Sequence, residues 1–150
     1  MKRSILFFLI MLIFAASGCS QVNATPSPIA STKPPGVEDK TSLVAALEAA
    51  GATVVTGDSI SQDFFTVEGS TIKVNGADIQ VFEYGDTQAM EKDASQVAPD
   101  GGSVGTSIMM WMDTPHFYKA GRILVLYVGS DQTTLSLLEK VLGPQFAGGS

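Results

Sequence analysis

The stretch Thr71-Ile72-Lys73-Val74-Asn75-Gly76-Ala77-Asp78-Ile79-Gln80-Val81-Phe82-Glu83-Tyr84 decides the fold class. Two strand-like runs, 71–74 and 79–84, flank Asn75-Gly76. That dipeptide suits a type I′ hairpin turn, whose two central residues both need positive φ. Upstream, 64–68 reads as another strand, set off by Glu68-Gly69-Ser70, and 52–56 as a short one stopped by Gly57-Asp58. The pattern is an antiparallel meander. Helices frame it. Thr41 or Ser42 can cap one in which Leu43, Val44, Leu47 and Ala50 share a face, and Gly51 can take the left-handed position that ends it. Asp86 caps a second, with Met90, Ala94 and Val97 on one side, until Pro99-Asp100-Gly101-Gly102 breaks it.

The second half has the same plan. Residues 106–112, 116–119 and 122–128 read as strands joined at Asp113-Thr114-Pro115 and Ala120-Gly121. Ser130 or Asp131 caps a helix carrying Leu135, Leu138, Val141 and Leu142 up to Gly143-Pro144. A slide of 44 residues lays 64–97 on 108–141 without a gap, matching Ile79 with Ile123, Val81 with Val125, Gly85 with Gly129, Gln88 with Gln132 and Val97 with Val141. The strand, turn and cap signals coincide better than the identities do, which suggests a β-β-β-α duplication. The predicted fold for 41–150 is therefore a single α+β domain: an antiparallel sheet of six or seven strands, about three helices on one face, and the other face partly exposed.

Composition narrows the function classes. Cys19 is the only cysteine, so no intramolecular disulfide can form, and a domain of roughly 110 residues must rely on its apolar core. The full chain has 9 basic and 15 acidic residues; without Lys2 and Arg3 the count is 7 against 15, a net charge of −8. A surface that acidic, with no basic cluster, argues against nucleic acid as a partner and against direct adhesion to anionic lipid.

The N-terminus supplies a different attachment. Met1, Lys2 and Arg3 form a positive n-region, and 5–16 is an uncharged run rich in Ile, Leu and Phe. As a helix that run is about 18 Å long, short of the ~30 Å hydrocarbon core, so it reads as a signal h-region rather than a permanent span. Ala16-Ser17-Gly18-Cys19 then resembles the bacterial lipobox, although Leu is usual where Ala16 stands. The resemblance implies cleavage between Gly18 and Cys19 by the type II signal peptidase, removing 1–18, and thioether linkage of the Cys19 sulfur to diacylglycerol. Further acylation makes the attachment effectively irreversible, because each buried methylene contributes ~0.8 kcal/mol. Residues 19–40 contain Pro26, Pro28, Pro34 and Pro35 among Ser, Thr, Ala and Lys. At ~3.1 Å per residue this tether holds the domain up to about 60 Å from the lipid surface. The expected location is a cell membrane or outer membrane, with the domain facing away from the cytoplasm.

Chemistry-bearing residues are sparse. His116, the only histidine, follows Met109, Met110, Trp111 and Met112. Thioethers and an imidazole suit Cu(I), which makes Met110, Met112 and His116 a weak candidate metal set. In a strand, however, Met110 and Met112 would share a side with Ile108 while Met109 and Trp111 point the other way. The plainer reading has the methionines filling gaps among aromatics and His116 hydrogen-bonded nearby. Gly101-Gly102-Ser103-Val104-Gly105 matches G-x-S-x-G by letter, but a helix and turn precede Ser103 and a strand follows, the reverse of a nucleophile elbow. No pattern calls for a cofactor, and no catalytic constellation emerges.

The runs 79–84 and 111–118 and the C-terminal tail resemble small uncharacterised bacterial envelope lipoproteins, a resemblance that implies no activity. The expected function is a membrane-tethered, non-catalytic module binding another envelope protein or a small ligand. Trp111, Phe117 and Tyr118 are the candidate contact residues if they face outward. A copper-binding protein and a small envelope hydrolase are the alternatives.

Overall fold

The computed structural model describes residues 36–149; the expected signal peptide, Gly18, Cys19 and the tether up to residue 35 lie outside the described residues. Helix α1 (Lys40–Ala49) leads into β1 (Val54–Ile60), β2 (Gly69–Val74) and β3 (Ala77–Glu83). After α2 (Thr87–Ala94) come the two-residue strands β4 (Ser103–Val104) and β5 (Ser107–Ile108), then β6 (Pro115–Ala120) and β7 (Ile123–Val128). Helix α3 (Gln132–Leu142) and β8 (Ala147–Gly148) complete the domain. Six strands form one antiparallel sheet in the order β1-β2-β3-β7-β6-β8, and β4 pairs with β5 apart from it. The α+β class, the antiparallel sheet and the three helices agree with the expectation from sequence. No helix among the described residues is long and apolar enough to cross a membrane.

The Asn75-Gly76 turn is present. Asn75 and Gly76 have φ of 52° and 92°, and Val74 pairs with Ala77 across them. The β6–β7 hairpin instead turns at Gly121-Arg122, with φ of 52° at Gly121 and Ala120 opposite Ile123. Gly57-Asp58 does not stop β1. The register passes from Thr56↔Ile72 to Ser59↔Ser70, one extra residue on β1, which makes the dipeptide a β-bulge. A bulge on an exposed edge strand also discourages edge-to-edge pairing with another chain. Residues 64–68 are not a strand. They form an irregular crossing that drops Phe65 into the core, and β2 begins at Gly69, which pairs with Phe82 and has no room for a Cβ, since one would lie 2.6 Å from the Phe82 ring.

The helices divide between the two faces of the sheet instead of sharing one. Strand alternation puts Ile72, Val74, Ile79, Val81, Ile123 and Val125 on one face, covered by Leu43 and Leu47 of α1 and Leu138 of α3. The other face carries Phe82, Phe117, Leu124 and Leu126, and it is covered by Met90 and Ala94 of α2 together with Phe65, Val97 and Val104. Among the described residues the four strands β2, β3, β7 and β6 are thus covered on both faces, while the edge strand β1 is largely exposed. The expected duplication extends to the two hairpins, β2–β3 and β6–β7, which flank a central pair with Val81 opposite Val125. It stops at that point: α2 and α3 take opposite faces, and 109–112 does not join the sheet.

An aspartate caps each helix. Asp39, rather than Thr41 or Ser42, caps α1: its carboxylate accepts from Ser42 N at 2.8 Å, and Ser42 Oγ accepts from Asp39 N at 2.9 Å. Asp86 and Asp131 accept from Ala89 N and Thr134 N at 2.8 and 2.7 Å. Hydrogen bonds from Ser42 hold the Asp39 carboxyl below its usual value of 3.8, and those from Thr134 do the same for Asp131. A carboxylate depressed in the folded state stabilises above the unfolded value, and that contribution disappears as pH falls through the lower folded value. Asparagine caps a helix about as well as aspartate but does not titrate. The Asp39→Asn/Asp131→Asn double variant should therefore keep its neutral-pH melting temperature and lose less of it than wild type in melts from about pH 6 to about pH 2.

The chain enters this domain at one defined end of the sheet. Arg122 N donates to Glu38 O at 2.9 Å, and the Arg122 guanidinium meets Glu83 Oε1 at 2.5 Å and Asp39 Oδ2 at 3.6 Å. The first described residues are thus held against the β6–β7 turn.

Candidate functional site

Two features of the 103–118 region could carry function, on different faces. The first is an apolar stripe. After β5 the chain stays extended, and its side chains alternate. Met109 and Trp111 pack into the core beneath α2, where Trp111 meets Phe117 and Phe64 edge-on at ring-centroid distances of 5.9 and 6.3 Å. Trp111 Nε1 donates to Gly101 O at 2.7 Å and Met109 N to Gly102 O at 3.0 Å, so this side is pinned. The intervening residues point outward: Ile108, Met110 and Met112 are 86%, 95% and 102% exposed.

The second feature is a cleft of about 320 Å³ where α3, β6 and the C-terminal tail meet. His116 and Tyr118, alternate residues of β6, form its floor and are 6% and 3% exposed. Gln132, Leu135 and Glu139 line one wall at helical spacing, and Gln145 stands opposite. His116 is oriented from two sides. Its ring stacks on Tyr127 at 6.0 Å between centroids, and Nδ1 lies 2.6 Å from Gln145 Oε1. Gln145 Nε2 lies 3.4 Å from Gly148 O, a long contact that agrees with the amide oxygen facing the imidazole. We accordingly assign the proton to Nδ1, leaving Nε2 as an acceptor. Burial raises the Tyr118 hydroxyl above its ordinary value of 10, and the Glu139 charge adds to the shift, so it stays a neutral phenol.

The chain matches no protein-family model, no curated protein and no solved structure.

The residues singled out from sequence scatter across this geometry. Phe117 is fully buried and presents no contact surface, Tyr118 is nearly buried and reaches only the cleft floor, and Trp111 is half-buried with its indole nitrogen satisfied internally. Alternation, not strand pairing, puts Met110 and Met112 on the surface, while His116 is buried against Gln145 and Tyr127, so the three do not share one environment. No group of three or more His, Cys, Asp or Glu able to hold a metal ion occurs among the described residues. Ser103 belongs to β4, His116 bonds Gln145, and Asp113 bonds Thr114 N at 2.7 Å and Ser130 Oγ at 3.3 Å. The cleft residues Gln132, Glu139 and Gln145 were not expected as site residues. The 132, 135, 139 spacing on one side of α3 was the available signal, but nothing in sequence says that this side faces β6.

Proposed function

We propose that the protein is a bacterial cell-envelope lipoprotein, anchored through lipid on Cys19 and tethered by 19–40, whose non-catalytic domain binds a partner protein through Ile108, Met110 and Met112. One observation carries the reading: three large apolar side chains lie in solvent on one side of a segment whose other side is locked into the core. Burying them contributes roughly 5–8 kcal/mol, comparable to the cost of association, so the stripe serves as the anchor of a wider contact. Methionine suits that use because its flexible thioether adapts to the surface it meets.

Charge favours a protein over a bilayer. Between residues 100 and 118 the only carboxylates are Asp100 and Asp113, and there is no lysine or arginine to meet anionic headgroups.

Crosslinking in living cells tests the reading, with a photoreactive residue at Thr106 in three backgrounds: wild type, Cys19→Ser, and Ile108→Ser/Met110→Ser/Met112→Ser. The expected result is a discrete adduct that weakens without the anchor and disappears without the stripe. If the triple-serine chain gives the same adducts as wild type, the stripe is not the docking surface.

A further inference from the structure

We propose that the cleft between α3 and β6 is a binding site for a small primary ammonium compound, held by His116 Nε2, the Tyr118 hydroxyl and the Glu139 carboxylate. This site is on the opposite face of the sheet from the apolar stripe and does not depend on it.

Hydrogen-bonding capacity is the first argument. His116 is more than nine-tenths buried and its Nδ1 is committed to Gln145, yet Nε2 has no protein partner among the described residues. The Tyr118 hydroxyl and the Glu139 carboxylate likewise make no hydrogen bond or ion pair among those residues. None of the three is a sealed, unsatisfied atom: among the described residues the buried polar side-chain atom lacking a partner is Asp93 Oδ1, elsewhere in the fold. These groups are left to whatever occupies the cleft.

Their chemistry then selects the occupant. Nε2 can only accept, the carboxylate accepts and is negative, and the phenol oxygen can accept; an ammonium group supplies three N–H donors and the matching charge. No lysine or arginine among the described residues lines the cleft, so an anionic ligand would meet repulsion from Glu139 with nothing there to offset it. Leu135 and Pro144 add apolar surface for a short carbon skeleton. The volume is at the small end for ligand pockets, which fits a compact metabolite and not a polymer segment.

Because His116 is the only histidine, a chain made without a histidine tag gives one imidazole signal set. The full-length ¹⁵N-labelled chain in detergent micelles is titrated at about pH 8, where an alkylammonium is still charged, with n-butylammonium, n-butanol and butyrate. Long-range ¹H–¹⁵N spectra follow both ring nitrogens. The expected result is a saturable displacement of Nε2 by n-butylammonium at millimolar concentration and none by butanol or butyrate. Glu139→Gln, a change on an exposed helix position, should weaken that response roughly tenfold with the melting temperature unchanged. The proposal is overturned by the absence of a saturable shift up to ~50 mM amine, by an equal response to butyrate, or by a Glu139→Gln chain that binds as wild type does.

Discussion

Phe117→Ala should lower the unfolding free energy by about 3–5 kcal/mol, the range for truncating a fully buried phenylalanine, whereas Met110→Ala and Met112→Ala should each stay within about 0.5 kcal/mol of wild type. The three residues are close in sequence and chemically similar, yet their surroundings are opposite. The Phe117 ring touches Trp111 and Phe146, and its backbone is paired on both sides, to Leu126 of β7 and Ala147 of β8. Removing it leaves a cavity between the sheet and α2 and loosens the strand that carries His116. Met110 and Met112 contact almost nothing to lose. Urea titration of the Cys19→Ser chain gives the three midpoints. Because a loss of this size can consume much of a small domain's 5–15 kcal/mol, Phe117→Leu supplies a milder step, with a smaller cavity and a smaller loss. Similar small losses at Phe117 and Met110 would contradict the two-sided arrangement of this region.

That contrast also marks what the sequence reveals and what it hides. Local chemistry was readable: Asn75-Gly76 turns, Asp86 and Asp131 cap, and Gly51 and Gly143 end their helices with positive φ. Sequence misleads where a distant partner decides. Gly57 and Gly69 look like punctuation, but each is small because another residue presses on it: Thr71 O would lie 2.9 Å from a Cβ at Gly57, and the Phe82 ring closer still at Gly69. Alternation in 108–112 was correct, yet alternation alone does not say which side is buried. The unbroken apolar run of β7 does carry the missing information, since an antiparallel strand without polar positions needs cover on both faces. Taken at full weight, it places a helix on each side of the sheet. The cleft was invisible for a related reason. His116 stands out in any composition count, but Gln145 is 29 residues further along and meets it only once the tail folds back across β6.

Asp93→Ala should cost about 2–4 kcal/mol, because the buried Tyr84 hydroxyl and two donors of Thr66 lose their shared acceptor. Asp93 is 1% exposed on α2, and its Oδ2 accepts from Thr66 N at 2.7 Å, Thr66 Oγ1 at 2.8 Å and Tyr84 Oη at 3.0 Å. Burial, and secondarily the Asp93 charge, raise the Tyr84 phenol well above its ordinary value of 10, so it stays a donor. Asp93→Asn keeps an acceptor oxygen for all three donors and should lose only about 1–2 kcal/mol. Amide hydrogen exchange separates this hub from simple packing: Thr66 N–H should lose protection in the alanine variant and keep most of it in the asparagine one. Equal losses in the two variants would sink the idea that directed hydrogen bonds, and not volume, are what Asp93 provides. The consequence reaches the apolar stripe, because Thr66 fixes the irregular crossing that presents Phe64 to Trp111, and Trp111 is the inward side of the segment whose outward side is Ile108, Met110 and Met112. A carboxylate almost sealed from solvent thereby sets the footing of the most exposed large apolar residues among those described.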